Sequence, residues 1–125
     1  MHNTTRVRLL SRHLPGHTVI AVRGELDIST TAALRDRILT VLKDVTTPVV
    51  IDLSGVSFCD ASGLALLVGT QRRARLHGVT VALVAPQPMV GKLLRITGLD
   101  RAFVIHPTLA CAHLSCTHAK HRAAA

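Results

Sequence analysis

The chain has 125 residues, with fifteen Lys or Arg against seven Asp or Glu and a formal charge of +8. A composition of 48% hydrophobic and 18% charged residues excludes a disordered chain, and the length fits a single domain that needs no disulfide to hold its core. With no Trp, no Tyr and only Phe58 and Phe103, the chain lacks the aromatic platforms on which single-stranded nucleic acid stacks.

Val7 to Leu10 and His17 to Arg23 are extended, β-branched-rich runs joined by Leu14-Pro15-Gly16, and the Pro-Gly turn makes them a hairpin. Gly24-Glu25-Leu26-Asp27 ends the second run, and Ser29, Thr30 or Thr31 can cap the helix that follows. Leu34, Ile38, Val41, Leu42 and Val45 fall on one face of that helix. Val49 to Leu53 is nearly all apolar, as in a strand buried on both faces. The polar stretch from Ser54 to Asp60 reads as a connection into a second helix. That helix opens at Ala61-Ser62-Gly63 and has Leu64, Leu67, Val68 and Leu76 on its inner face. Arg72, Arg73 and Arg75 lie at the negative end of its dipole, and Gly78 stops it. Val79 to Ala85 forms the next strand. Pro86 and Pro88 open a third helix with Val90, Leu93, Leu94 and Thr97 inward, and Gly98 ends it. Phe103 to Ile105 is a last strand, residues 108–118 form a final helix, and the chain frays beyond. The order β-β-α-β-α-β-α-β-α predicts an α/β fold. Its sheet is mixed but mostly parallel, of about five strands, with about four helices.

The positive charge is concentrated at the ends. Arg6, Arg8 and Arg12 stand in residues 1–15 without an acid, while all seven acids share residues 16–107 with ten bases. Such a balance licenses non-specific attraction only, so no specific nucleic-acid partner is expected. The N-terminal residues lack the apolar run of a signal peptide, and no apolar stretch reaches the length of a membrane span. The expectation is a soluble cytoplasmic protein with no membrane insertion. Cys59, Cys111 and Cys116 do not form a disulfide framework. Cys111, His113, Cys116, His118 and His121 crowd the C-terminal segment, but their spacing does not match paired zinc ligands. There is no Gly-x-Ser-x-Gly elbow and no phosphate-binding Gly-rich loop ending in Lys-Ser or Lys-Thr. No catalytic residue, metal or cofactor is therefore expected.

The scarce acids carry more information. Asp27 and Asp60 stand at strand-to-helix junctions, which gather at one end of a parallel sheet, where ligand and partner sites concentrate. Helix capping is the alternative role for each. Ser62 lies in the first turn of the second helix, where the dipole and free N–H groups favour a phosphate. Phosphorylation there would add about −1.5 to −2 charges beside Asp60.

Three blocks in order complete the pattern: Gly24-Glu25-Leu26-Asp27, then Val50 through Asp60-Ala61-Ser62-Gly63-Leu64, then Ile96-Thr97-Gly98-Leu99. With these the chain resembles the STAS domain, the fold of bacterial anti-sigma-factor antagonists and of the cytoplasmic tails of sulphate transporters. The resemblance runs over residues 6–112. It implies a STAS domain in residues 1–112 and a basic C-terminal tail, 113–125, without fixed structure. It implies a non-enzymatic partner-switching regulator that binds an anti-sigma factor, a serine kinase with an ATP-binding fold, and so releases a sigma factor. Glu25, Asp27, Cys59, Asp60, Ala61, Ser62, Gly63 and Leu64 would form the partner-binding region. In the family pattern the phosphoacceptor directly follows the Asp, and that position here is Ala61. Either Ser62 accepts the phosphate instead, or the protein binds without this switch. The second is favoured, because one residue along a helix turns the hydroxyl by about 100°. The runner-up reading is a soluble accessory subunit of a membrane transport ATPase, a third and weaker one is nucleotide binding at the helix N-terminus, and a homodimer stands as an open alternative for the oligomeric state.

Overall fold

The computed structural model describes residues 7–115. Strand β1 (Val7–Leu14) and strand β2 (His17–Leu26) form the hairpin, turned at Pro15-Gly16 with Gly16 at a φ of 92°. Helix α1 (Thr31–Leu42), strand β3 (Val49–Cys59), helix α2 (Ala61–Leu76) and strand β4 (Val81–Val84) follow. Helix α3 (Pro88–Ile96), a 3-10 turn (Leu99–Arg101), strand β5 (Val104–His106) and helix α4 (109–115) complete the described chain. The strands lie in the order β1-β2-β3-β4-β5, antiparallel between β1 and β2 and parallel elsewhere. This is the mixed, mostly parallel α/β sheet that the sequence predicts.

One face of the sheet carries the main core. Val7 and Leu9, Ile20 and Val22, Val49, Ile51 and Leu53, and Val81 and Leu83 meet Leu34, Ile38 and Leu42 of α1, Leu64 and Leu67 of α2, and Val90 and Leu94 of α3. Each such leucine contributes roughly 1.5–3 kcal/mol by leaving water. A smaller cluster of Val50 and Val84 is covered by Leu109 and Ala112 of α4. Helix α4 continues through residue 115, so the first residues of the expected tail, 113–115, are helical. Cys116, His118 and His121 lie outside the described residues.

Three details depart from the sequence reading. The polar stretch after Leu53 is strand, not connection. Pairing with β4 covers only Val49–Asp52, so beyond it β3 has β2 as its one neighbouring strand, and only every third residue is buried, with Val56 and Cys59 in and Ser54, Ser57 and Phe58 out. Leu76 is 78% exposed, because α2 has left the core after Ala74. Thr97 faces out, and its hydroxyl folds back to donate to the Leu93 carbonyl at 2.7 Å.

Two irregularities in the β2–β3 register shape the end of the sheet. Ala21 pairs Asp52 but Arg23 pairs Gly55, and Gly24 pairs Val56 but Glu25 pairs Phe58. At each, β3 carries one residue more than β2, which bends the strand and increases its twist. Gly55 is required at the first, since a Cβ there would lie 2.5 Å from Arg23 Cγ.

Candidate functional site

The two strands regain register at their last residues, where Leu26 pairs Cys59, and the Asp60 N–H donates to the Leu26 carbonyl at 3.1 Å. Asp27 and Asp60 therefore leave the sheet side by side. Each folds the next residues into the same turn. The Asp27 Oδ1 accepts from the Ser29 N–H at 2.9 Å and from the Ser29 hydroxyl at 2.6 Å. The Asp60 Oδ1 accepts from the Ser62 N–H at 2.9 Å, the Ser62 hydroxyl at 2.5 Å and the Gly63 N–H at 3.2 Å. In both turns the serine hydroxyl is held by the preceding aspartate. The residue between them, Ile28 in one and Ala61 in the other, is exposed.

Asp60 is the N-cap of α2, with extended backbone, and its carboxylate satisfies two of the helix's orphan N–H groups. The Ser62 hydroxyl, above all, together with those N–H groups, holds its carboxyl below the ordinary range, while desolvation and, least, the charge of Asp27 work against them. A phosphate seeking the same N–H groups would meet a carboxylate already on them. Thr30, the N-cap of α1, is 2% exposed and makes no side-chain cap. Its hydroxyl instead donates to the Glu25 carbonyl at 2.8 Å and accepts from the Asp27 N–H at 3.1 Å, tying the loop to the strand it leaves.

Gly63 fits the tightest point of the site. A Cβ there would lie 2.7 Å from Cys59 Sγ, 2.8 Å from Leu26 Cβ and 2.9 Å from the Leu26 carbonyl oxygen. Burial, reinforced by the charge of Asp60, pushes the Cys59 thiol up to about 11. A thiol held protonated in this way packs and does not act as a nucleophile.

The STAS domain profile matches residues 8–112 of the sequence. The chain belongs to the STAS domain family. Over 94 residues, 75% of this STAS domain chain and 76% of the relative, it is 35% identical to the anti-sigma-F factor antagonist RsfB of Mycobacterium tuberculosis. Over 80 residues, 64% of this chain and 74% of the relative, it is 31% identical to the anti-sigma-B factor antagonist of Staphylococcus aureus. The crystal structure of an anti-sigma factor antagonist from Mycobacterium paratuberculosis superposes with a TM-score of 0.81. That match has 32% identity and covers 89% of this chain and 94% of the other.

Within this STAS domain the residues expected at the partner surface separate into two layers. Ala61 is exposed, and Glu25, Asp27, Asp60 and Ser62 are partly exposed around the tip. Cys59, Gly63 and Leu64 are buried beneath it, because β3 runs to Cys59 and α2 turns Gly63 and Leu64 into the core. They hold the tip in place and do not present it. Sequence reasoning placed the loop 24–28 at the docking surface without singling out Ile28, which is 82% exposed, and missed Thr30 as the tie between loop and strand. An isolated isoleucine between two polar residues was the available signal. Among the described residues no group of three or more His, Cys, Asp or Glu could hold a metal ion, and no helix is long and apolar enough to cross a membrane.

Proposed function

We propose that this chain is an anti-sigma factor antagonist that docks through its paired Asp-x-Ser turns on an anti-sigma factor of the serine-kinase type with an ATP-binding fold, releasing a sigma factor. The observation that carries this reading is the pairing itself. Two strand ends in register present Ile28 and Ala61 outward on a hydrogen-bonded base, in a chain more than 30% identical to two relatives named anti-sigma factor antagonists. Surfaces preorganised by such hydrogen bonds lose less entropy on binding.

We further read the tip as competent to bind without a phosphate switch at its first helical residue. Ala61 offers no hydroxyl, and the Ser62 hydroxyl is committed to Asp60 at 2.5 Å. Incubation of the purified chain with the serine-kinase anti-sigma factor of its own genome and labelled ATP tests both parts. A stable complex, an unlabelled wild type and a labelled Ala61→Ser variant are expected. Absence of any complex overturns the docking reading. Strong labelling of wild type that disappears in Ser62→Ala overturns the unswitched one.

A further inference from the structure

Beside the tip, residues of α1 and α2 line a groove of about 570 Å³ that shares Ile28 and Ser62 with it. Its walls include the aliphatic Leu39 and Leu66, and the lining contains two guanidinium groups, Arg35 and Arg73, and no Asp or Glu. Gly69 also lines it, from the middle of α2. A glycine inside a helix is less favourable than alanine, so it calls for a reason. Internal packing gives none, since a Cβ at Gly69 would meet nothing within 4 Å. Gly63, on the same helix, is the contrast, hemmed in by Cys59 and Leu26. The space that Gly69 leaves opens outward, into the groove.

We propose that this groove seats an acidic segment of the partner protein, with an apolar side chain laid over Gly69 and carboxylates paired with Arg35 and Arg73. The inference rests on the docking reading above and extends the contact from the tip down the α1–α2 face. The charge of the lining selects the occupant. Two arginines without a neighbouring acid in the lining favour a negatively charged partner, and a bare backbone on an aliphatic wall favours a side chain inserted from outside. A nucleotide fits less well, because the lining has no aromatic group for a base and Asp60 already occupies the N–H groups at the start of α2.

The test is calorimetric titration of the full chain with the purified serine-kinase anti-sigma factor of its own genome, comparing wild type with Gly69→Ala, Gly69→Leu and the double variant Arg35→Glu, Arg73→Glu. Gly69→Ala should raise Tm, through its better helix propensity, and still weaken binding severalfold. Gly69→Leu should weaken binding at least tenfold, and the double variant more, with loss of the salt dependence of affinity. If wild type binds and both Gly69 variants bind equally well, the groove is overturned while the tip reading stands. If wild type does not bind, the docking reading falls and the groove falls with it. A concentration-dependent dimer dissolved by Gly69→Leu, or ATP binding abolished by Arg73→Glu, would also overturn the proposal by naming a different occupant.

Discussion

The turns Asp27-Ile28-Ser29-Thr30 and Asp60-Ala61-Ser62-Gly63 make the same aspartate-to-serine hydrogen bonds yet solve different problems. At the second, the aspartate caps a 16-residue helix directly, and the fourth position is glycine because Leu26 and Cys59 leave no room. At the first, the Asp27 carbonyl accepts from the Thr30 and Thr31 N–H groups at 3.0 Å each, and the fourth position is a buried threonine that ties back to Glu25. The shared hydrogen bonds fix the backbone. The outward residues, a large isoleucine and a small alanine, are what distinguish the two turns to a partner.

The fourth positions separate most sharply under mutation. Gly63→Ala forces a methyl group against Leu26 and Cys59 and should destabilise the fold by about 1–3 kcal/mol in urea unfolding. Thr30→Val keeps the shape but removes the hydroxyl's bonds to Glu25 and Asp27, at a cost of about 1 kcal/mol in the same measurement. Equal losses would mean that the two turns are held in the same way.

At the opposite end of the sheet the polar groups are not satisfied in this manner. His17 is buried, its ring centroid is 5.0 Å from that of His113, and neither of its ring nitrogens makes a well-formed hydrogen bond among the described residues, the Pro15 backbone being only a weak partner. Burial, then His113, lowers its proton affinity, against a smaller opposing effect of the Pro15 backbone. The unfolded chain therefore binds the proton more readily. The stability linked to neutral His17 is fully present above an ordinary histidine pKa of about 6.5 and is lost as pH falls through the lowered folded value. Tm measured from pH 8 to 5 should fall on acidification, and His17→Leu should flatten that slope.

The smallest effect couples the two turns to each other. The Asp60 carboxyl is held down by Ser62 and pushed up by desolvation and, least, by Asp27. Its stabilising contribution is present above the ordinary aspartate pKa of about 3.9 and is lost as pH falls through its lowered folded value. Carbon-detected NMR titration should find the Asp60 midpoint raised in Ser62→Ala and lowered in Asp27→Asn. An unmoved midpoint in Asp27→Asn would show that the turns are electrostatically independent.

Much of this architecture is legible in the sequence, because Pro15-Gly16, Gly78 and Gly98 punctuate runs whose apolar periods differ between strand and helix. Asp27 and Asp60 could be placed at strand ends for the same reason. The paired tip could not, since it depends on two irregularities in the β2–β3 register that bring Leu26 opposite Cys59. The extension of β3 was hidden by its polar residues, which face solvent where β4 has ended. Cys59, Gly63 and Leu64 fall in the partner-binding block that the resemblance implies, whereas the end of β3 buries Cys59 and the start of α2 turns Gly63 and Leu64 inward. The purpose of Gly69 is invisible to periodicity, because only the helix beside it shows that the space above it is open.

The docking claim is tested most directly at the outward residues, since neither supports the fold. Affinity of the purified serine-kinase anti-sigma factor should be measured for wild type and for the double variant Ile28→Glu, Ala61→Glu, with Tm recorded in parallel. Docking through the tip predicts binding at least tenfold weaker at an essentially unchanged Tm. Wild-type affinity in the double variant would contradict it and place the contact elsewhere on the domain.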